Sequence, residues 1–146
     1  MRILIVVTYV SPDGAFGGPV SVALAHAAGL ADRGHEVVVL AGGPVRRRKS
    51  EVRDGFTLTQ LPVVRLSRKG GFATLASPAL WFEVARRRSS FEVIHVHLAR
   101  DLVTLPVGAL ASVLRMPIIV QTHGMIDPTR KAIARPLDAL VTRPVL

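Results

Sequence analysis

The chain has no cysteine. Disulfides and thiolate metal sites are therefore excluded, and a reducing cytoplasm is permitted. Long apolar runs are also missing. Nothing approaches the roughly twenty residues of a spanning helix. The apolar run near the N-terminus holds about five residues before Thr8 and Tyr9, short of the roughly seven to fifteen of a secretory signal. Aromatic residues are few, with one Trp, one Tyr and five Phe, and none interleaves with the basic runs. No nucleic-acid module is recognisable, so no nucleic-acid partner is expected. Acidic residues are outnumbered, 10 against 19 Lys and Arg, which leaves a net charge of +9.

What is present fits one folded domain over residues 1–146. Hydrophobic residues make up 49% of the chain, which argues against disorder. The positive charge is clustered in Arg46 to Lys49, in Arg65, Arg68 and Lys69, and in Arg86 to Arg88. Such runs serve as solvated loops and helix ends, or as a surface for anionic lipid headgroups, worth about 1 kcal/mol per basic residue. No apolar anchor accompanies them in the sequence.

Arg2 to Thr8 (RILIVVT) reads as a strand buried on both faces. A long glycine-rich loop (YVSPDGAFGG) follows, then a helix with Pro19 in its first turn and Gly34 as its stop, then the strand Glu36 to Leu40. This unit is a right-handed crossover that begins a parallel sheet. Its loop opens on a helix N-terminus, whose free N–H groups favour anions, phosphate above all. The spacing is not the dinucleotide fingerprint G-x-G-x-x-G, which counts against a simple NAD domain. Further strands are expected at Phe56 to Val64, Phe91 to His97 and Pro117 to Thr122. Ala41 to Gly55 reads as a mobile loop, and Pro62 pushes the third strand towards an edge. Helices are expected from Ser77-Pro78 to Arg88, from Leu102 to Arg115 with Asp101 as cap, and over the amphipathic tail from Asp127. The apolar ending at Val145-Leu146 suggests a fragment of a longer chain.

The opening forty residues, together with FEVIHVHLARDLVTLPVGALASVLRMPIIVQTHGMID, resemble family-4 retaining glycosyltransferases. The resemblance implies an α/β fold, a Rossmann-like parallel sheet with helices on both faces. It would be the acceptor-side, N-terminal half of a two-domain GT-B architecture. It implies transfer of a sugar from a nucleotide-diphosphate sugar to a glycan, lipid-linked or small-molecule acceptor hydroxyl, with retention of configuration. The nucleotide sugar is a co-substrate, and neither cofactor nor metal is expected. A cytoplasmic place follows, peripheral at the inner face of the plasma membrane. The isolated chain would be inactive without its second domain. A sugar-nucleotide epimerase-like domain and a non-catalytic phosphate- or lipid-binding module remain as alternatives.

Strand order 3-2-1-4-5 would bring three segments to one crevice, at the carboxyl ends of the first and fourth strands. Gly17 and Gly18 either serve a turn with positive φ or let a phosphate approach the backbone. His123, in QTHGM, matches the place where the resembled family has a histidine that reaches the donor sugar, and is the expected catalytic residue. His97 is expected to line the cleft, with Arg100, Asp101, Asp127 and Arg130 near its mouth. Asp101 reads equally as a helix cap. Asp13 is a further polar residue there. His95 reads as a satisfied core residue and His26 and His35 as structural. His95 and His97 share a strand face and could ligate a metal, but no third ligand is evident nearby, although Asp101 could approach from the loop; the reading taken is no metal.

Overall fold

A computed structural model describes residues 1–12, 17–67 and 71–123 of the chain. A six-stranded, mostly parallel sheet forms its centre. Its first strand, β1 (Arg2–Tyr9), leads through α1 (Gly17–Ala31) to β2 (Glu36–Gly43). Next come β3 (Lys49–Arg53), β4 (Phe56–Pro62) and two short strands that pair with each other, β5 (Val64–Arg65) and β6 (Leu75–Ala76). Then α2 (Pro78–Arg86), β7 (Val93–His97), α3 (Thr104–Val113) and β8 (Ile118–Gln121) complete the described elements. The strand order is β3-β4-β2-β1-β7-β8. The five parallel strands therefore take the expected 3-2-1-4-5 order. The outermost strand, β3, is antiparallel to β4.

That outermost strand corrects two sequence-based expectations. The stretch expected as a mobile loop holds a strand, and the strand bearing Pro62 is not an edge. All five residues of β3 are exposed, so no apolar alternation betrays it. The turn does: Asp54 and Gly55 both have positive φ, 47° and 79°, the pattern of a two-residue hairpin turn. Pro62 is accommodated at the last pair of its strand, opposite Gly43.

The strand β1 is buried from Ile3 to Thr8, as its unbroken apolar run requires. Its side chains alternate between two cores. Ile3, Ile5 and Val7 pack with Ala23 and Ala27 of α1. Leu4 and Val6 pack with Leu80 and Val84 of α2 and with Leu105, Val107 and Ala111 of α3. Helices thus cover both faces, the Rossmann-like arrangement.

Helix ends follow local chemistry. After α1, the His35 amide bonds the Leu30 carbonyl and the Gly34 amide bonds that of Ala31, with Gly34 at φ 82°. This is the Schellman pattern, and it explains the stop at glycine. The end of α3 repeats it with Arg115 at φ 52°, where a side chain is strained. Ser77 sits at the N-cap of α2 but makes no side-chain cap. Its hydroxyl instead donates to the Pro62 carbonyl at 2.8 Å, tying that helix to the end of β4.

Candidate functional site

The strands β1 and β7 are neighbours whose chains leave in opposite directions, towards α1 and α3. Their carboxyl ends form the switch-point crevice of a doubly wound sheet. Asp101 ties its floor. Thr8 Oγ1 donates to Asp101 Oδ2 at 2.5 Å. The amides of Val103 and Thr104 each donate to Asp101 Oδ1 at 2.7 Å, and Thr104 Oγ1 lies 3.2 Å from it. Asp101 therefore caps the start of α3 through its side chain, and Pro106 falls in the first turn, where a missing N–H costs nothing. The carboxyl is fully buried. Burial pushes its pKa up to about 6, against the pull of the Thr8, Thr104 and Val103 donors. Asp101 was expected near the mouth. It lies beneath the crevice instead, saturated by protein donors.

The glycines lie at the other wall. Gly17 and Gly18 are the first two residues of α1, and Pro19 the third. Neither glycine has positive φ, so the turn explanation for them fails. A Cβ at either position would meet no described atom within 4 Å. The amides of this first turn have no intrahelical acceptors. Space and donors therefore coincide there, which is what a bound anion needs. Gly42 nearby is demanded by packing: its Cβ would stand 2.7 Å from the Thr8 carbonyl oxygen and against the Val63 side chain.

The third wall is a row of histidines. His97 Nδ1 and His123 Nε2 lie 2.7 Å apart, and their rings stack with centroids 4.9 Å apart. His95 and His97 rings are 4.4 Å apart, and His26 on α1 stands 5.7 Å from His95 and 5.8 Å from His97. His123 holds φ 51°, an uncommon conformation for a side chain other than glycine. His97 is fully buried, so it backs His123 and does not line the cleft itself. The reading of His95 as satisfied is corrected. His95 Nε2 and His97 Nε2 are buried with no hydrogen-bond partner among the described residues, and His26 joins both. No local pattern announces His26. It is found only once α1 is laid over β1 and β7 is paired beside it.

Burial lowers the pKa of His95, and His26 lowers it further. Burial and the neighbouring imidazoles push His97 down to about 3. Burial, then His26, lowers His123. Burial thus biases His95, His97 and His123 towards the neutral form. Each ring then offers one donor and one acceptor, suited to a hydroxyl and unsuited to pairing with an anion. Arg100 is half-buried just before Asp101. Asp13, Asp127 and Arg130 lie outside the described residues.

Comparison with known proteins adds one match. Residues 17–146 fit the family model described as a glycosyl transferase 4-like domain. No curated protein matches the chain.

Proposed function

The chain belongs to the glycosyl transferase 4-like domain family, and from that premise we propose that it is the acceptor-side domain of a retaining transferase that uses a nucleotide-activated sugar. The observation that carries the reading is the meeting of an open helix N-terminus with a neutral histidine at one switch point. In the transfer, the bond from the anomeric carbon to the diphosphate breaks, and an acceptor hydroxyl takes its place with retained configuration. Negative charge develops on the departing diphosphate. The amides of Gly17 and Gly18, which have no acceptor within the helix, would stabilise such charge. His123, whose Nε2 is held by His97, has its Nδ1 left to hydrogen-bond a sugar hydroxyl. A second domain would bind most of the nucleotide, so the 146 residues alone should transfer no sugar. Sugar release is measured for the full-length enzyme with a panel of nucleotide sugars and acceptors. His123→Ala should cut transfer at least about tenfold, a loss of roughly 1.4 kcal/mol or more of transition-state stabilisation, with folding intact. Normal activity in a folded variant removes His123 from the site. Turnover of about 1 s⁻¹ or faster by the 146 residues alone overturns the half-enzyme reading.

A peripheral place on an anionic cytoplasmic membrane surface fits the same domain, because a lipid-linked acceptor would be met there. The fold merges two of the basic runs. Arg48, Arg86 and Arg87 all reach Glu83, at 3.6, 2.9 and 3.6 Å. Three arginines share one carboxylate, so positive charge remains in excess on this face. Sequence showed no apolar anchor, yet Phe82 of α2 is 67% exposed one residue before Glu83. Among the described residues no helix is long and apolar enough to cross a membrane. Sedimentation with phosphatidylserine vesicles tests the reading; equal binding to neutral vesicles rejects it.

A further inference from the structure

Four of the chain's five histidines converge on the α1 face of β7 and β8, and their nitrogens are not equivalent. His97 uses Nδ1 to pair with His123 Nε2, leaving Nε2 buried and without a partner among the described residues. His95 Nε2 is likewise buried without a hydrogen-bond partner among the described residues, and the Gln121 side chain lies near the ring. Across the strand pair, Gln121 lies directly opposite His97 and Ile119 opposite His95, so Gln121 is on the histidine face. In His97, then, an outer partner holds Nδ1, and in both rings Nε2 has no partner among the described residues. This is the division of labour that metal-ligating histidines show, one nitrogen on the metal and the other oriented by a hydrogen bond.

The third donor comes from α1. One ring nitrogen each from His26, His95 and His97 lie within 4.8 Å of one another. Ligands about 2.0–2.1 Å from a tetrahedral ion sit roughly 3.4 Å apart. Closing the difference requires an inward turn of His26, which is exposed and unhindered by a core. We infer that His26, His95 and His97 form a binding site for a borderline transition-metal ion of the zinc class. Three imidazoles without carboxylate or thiolate select zinc, copper(II) or nickel over magnesium or calcium. Among the described residues no carboxylate joins the three rings, so the fourth position, on the exposed His26 side, takes water or an anionic oxygen. With the metal on His97 Nε2, the proton is on Nδ1 and is donated to His123 Nε2. The single proton of His123 is then on its Nδ1, so the metal sets the tautomer of that residue. The sequence-based reading of no metal rested on the lack of a visible third ligand, and His26 supplies it. The inference is independent of the glycosyltransferase reading.

The test uses the full chain with any affinity tag removed, stripped with chelator and titrated with Zn²⁺ against a chromophoric chelator. One equivalent should bind, and Mg²⁺ should not compete. His26→Ala should weaken binding at least ~10-fold, and His123→Ala about 10-fold through the lost partner of His97. His35→Ala, at the turn by the N-terminus, should leave affinity unchanged. Melting curves verify that each variant is folded; His26 is exposed, so its variant remains informative even where a His97 substitution disrupts the core. Co²⁺ should give the intense visible absorption of a four-coordinate site in the wild type and lose it in His26→Ala. Failure to bind one equivalent of Zn²⁺, or unchanged affinity in folded His26→Ala, overturns the site.

Discussion

Replacing Asp101 by asparagine tests the physical account of the crevice floor. At low pH the buried carboxyl is protonated. Asparagine then imitates it closely: its carbonyl accepts from the amides of Val103 and Thr104, and its NH₂ donates to Thr8 Oγ1 in place of the acid proton. The two proteins should therefore agree within about 1 kcal/mol there. The sign at higher pH follows from linkage. The folded pKa is raised from the ordinary 3.8 to about 6. Stability is therefore fully present below the unfolded value and is lost as pH rises through the folded one. The gap corresponds to ~3 kcal/mol at order-of-magnitude precision. Between about pH 4 and about pH 7 the wild type should thus lose about 3 kcal/mol relative to the variant. Asp101→Asn should be the more stable protein at neutral pH, by about 2 kcal/mol. Urea denaturation of both proteins across that range measures it. Taking the difference at each pH cancels the histidines, which titrate in the opposite direction in both. A difference that stays flat, or that turns against asparagine as pH rises, would refute the reasoning. It would mean that the converging donors outweigh burial and hold the carboxylate charged.

Other outcomes are as specific. Gly42→Ala should cost about 1–3 kcal/mol by overpacking, because its Cβ meets the Thr8 carbonyl oxygen and Val63. Gly18→Ala, in open helical space, should be neutral or stabilising by up to about 1 kcal/mol, yet should reduce sugar transfer if the backbone there meets phosphate; thermal melts and transfer rates separate the two effects. Arg115→Gly should raise stability by about 1 kcal/mol, since it relieves the left-handed conformation at the end of α3. Glu83→Gln should strip Arg48, Arg86 and Arg87 of their shared carboxylate and strengthen salt-sensitive sedimentation with anionic vesicles; no change there would argue that this face does not meet the membrane.

Much of the architecture was legible because its signals are local. The buried run in β1, the glycine stop after α1 and the capping aspartate before α3 each depend on residues a few positions apart, so strand order and the crevice followed. The hairpin of β3 was not, because its five side chains face solvent and obey no apolar period. The Asp54-Gly55 turn was its one legible trace. Ser77 was placed correctly at a helix start, but a tertiary partner, the Pro62 carbonyl, claimed its hydroxyl.

The sequence by itself determined the five parallel strands and the three helices between them, and that a glycine-rich loop opens on a helix N-terminus, because periodicity and capping act over one or two turns of chain. Family membership agrees with the resemblance those segments carry. Only the tertiary structure decided what the polar residues do. Parallel register sets His95 opposite Ile5 and His97 opposite Gln121, and packing brings His26 of α1 to both rings. The same packing sinks Asp101 and His97 out of the cleft. Side chains some seventy positions apart acquire their protonation and partners from that packing, where exclusion of water, not chain proximity, sets the cost of charge and of an unpaired nitrogen.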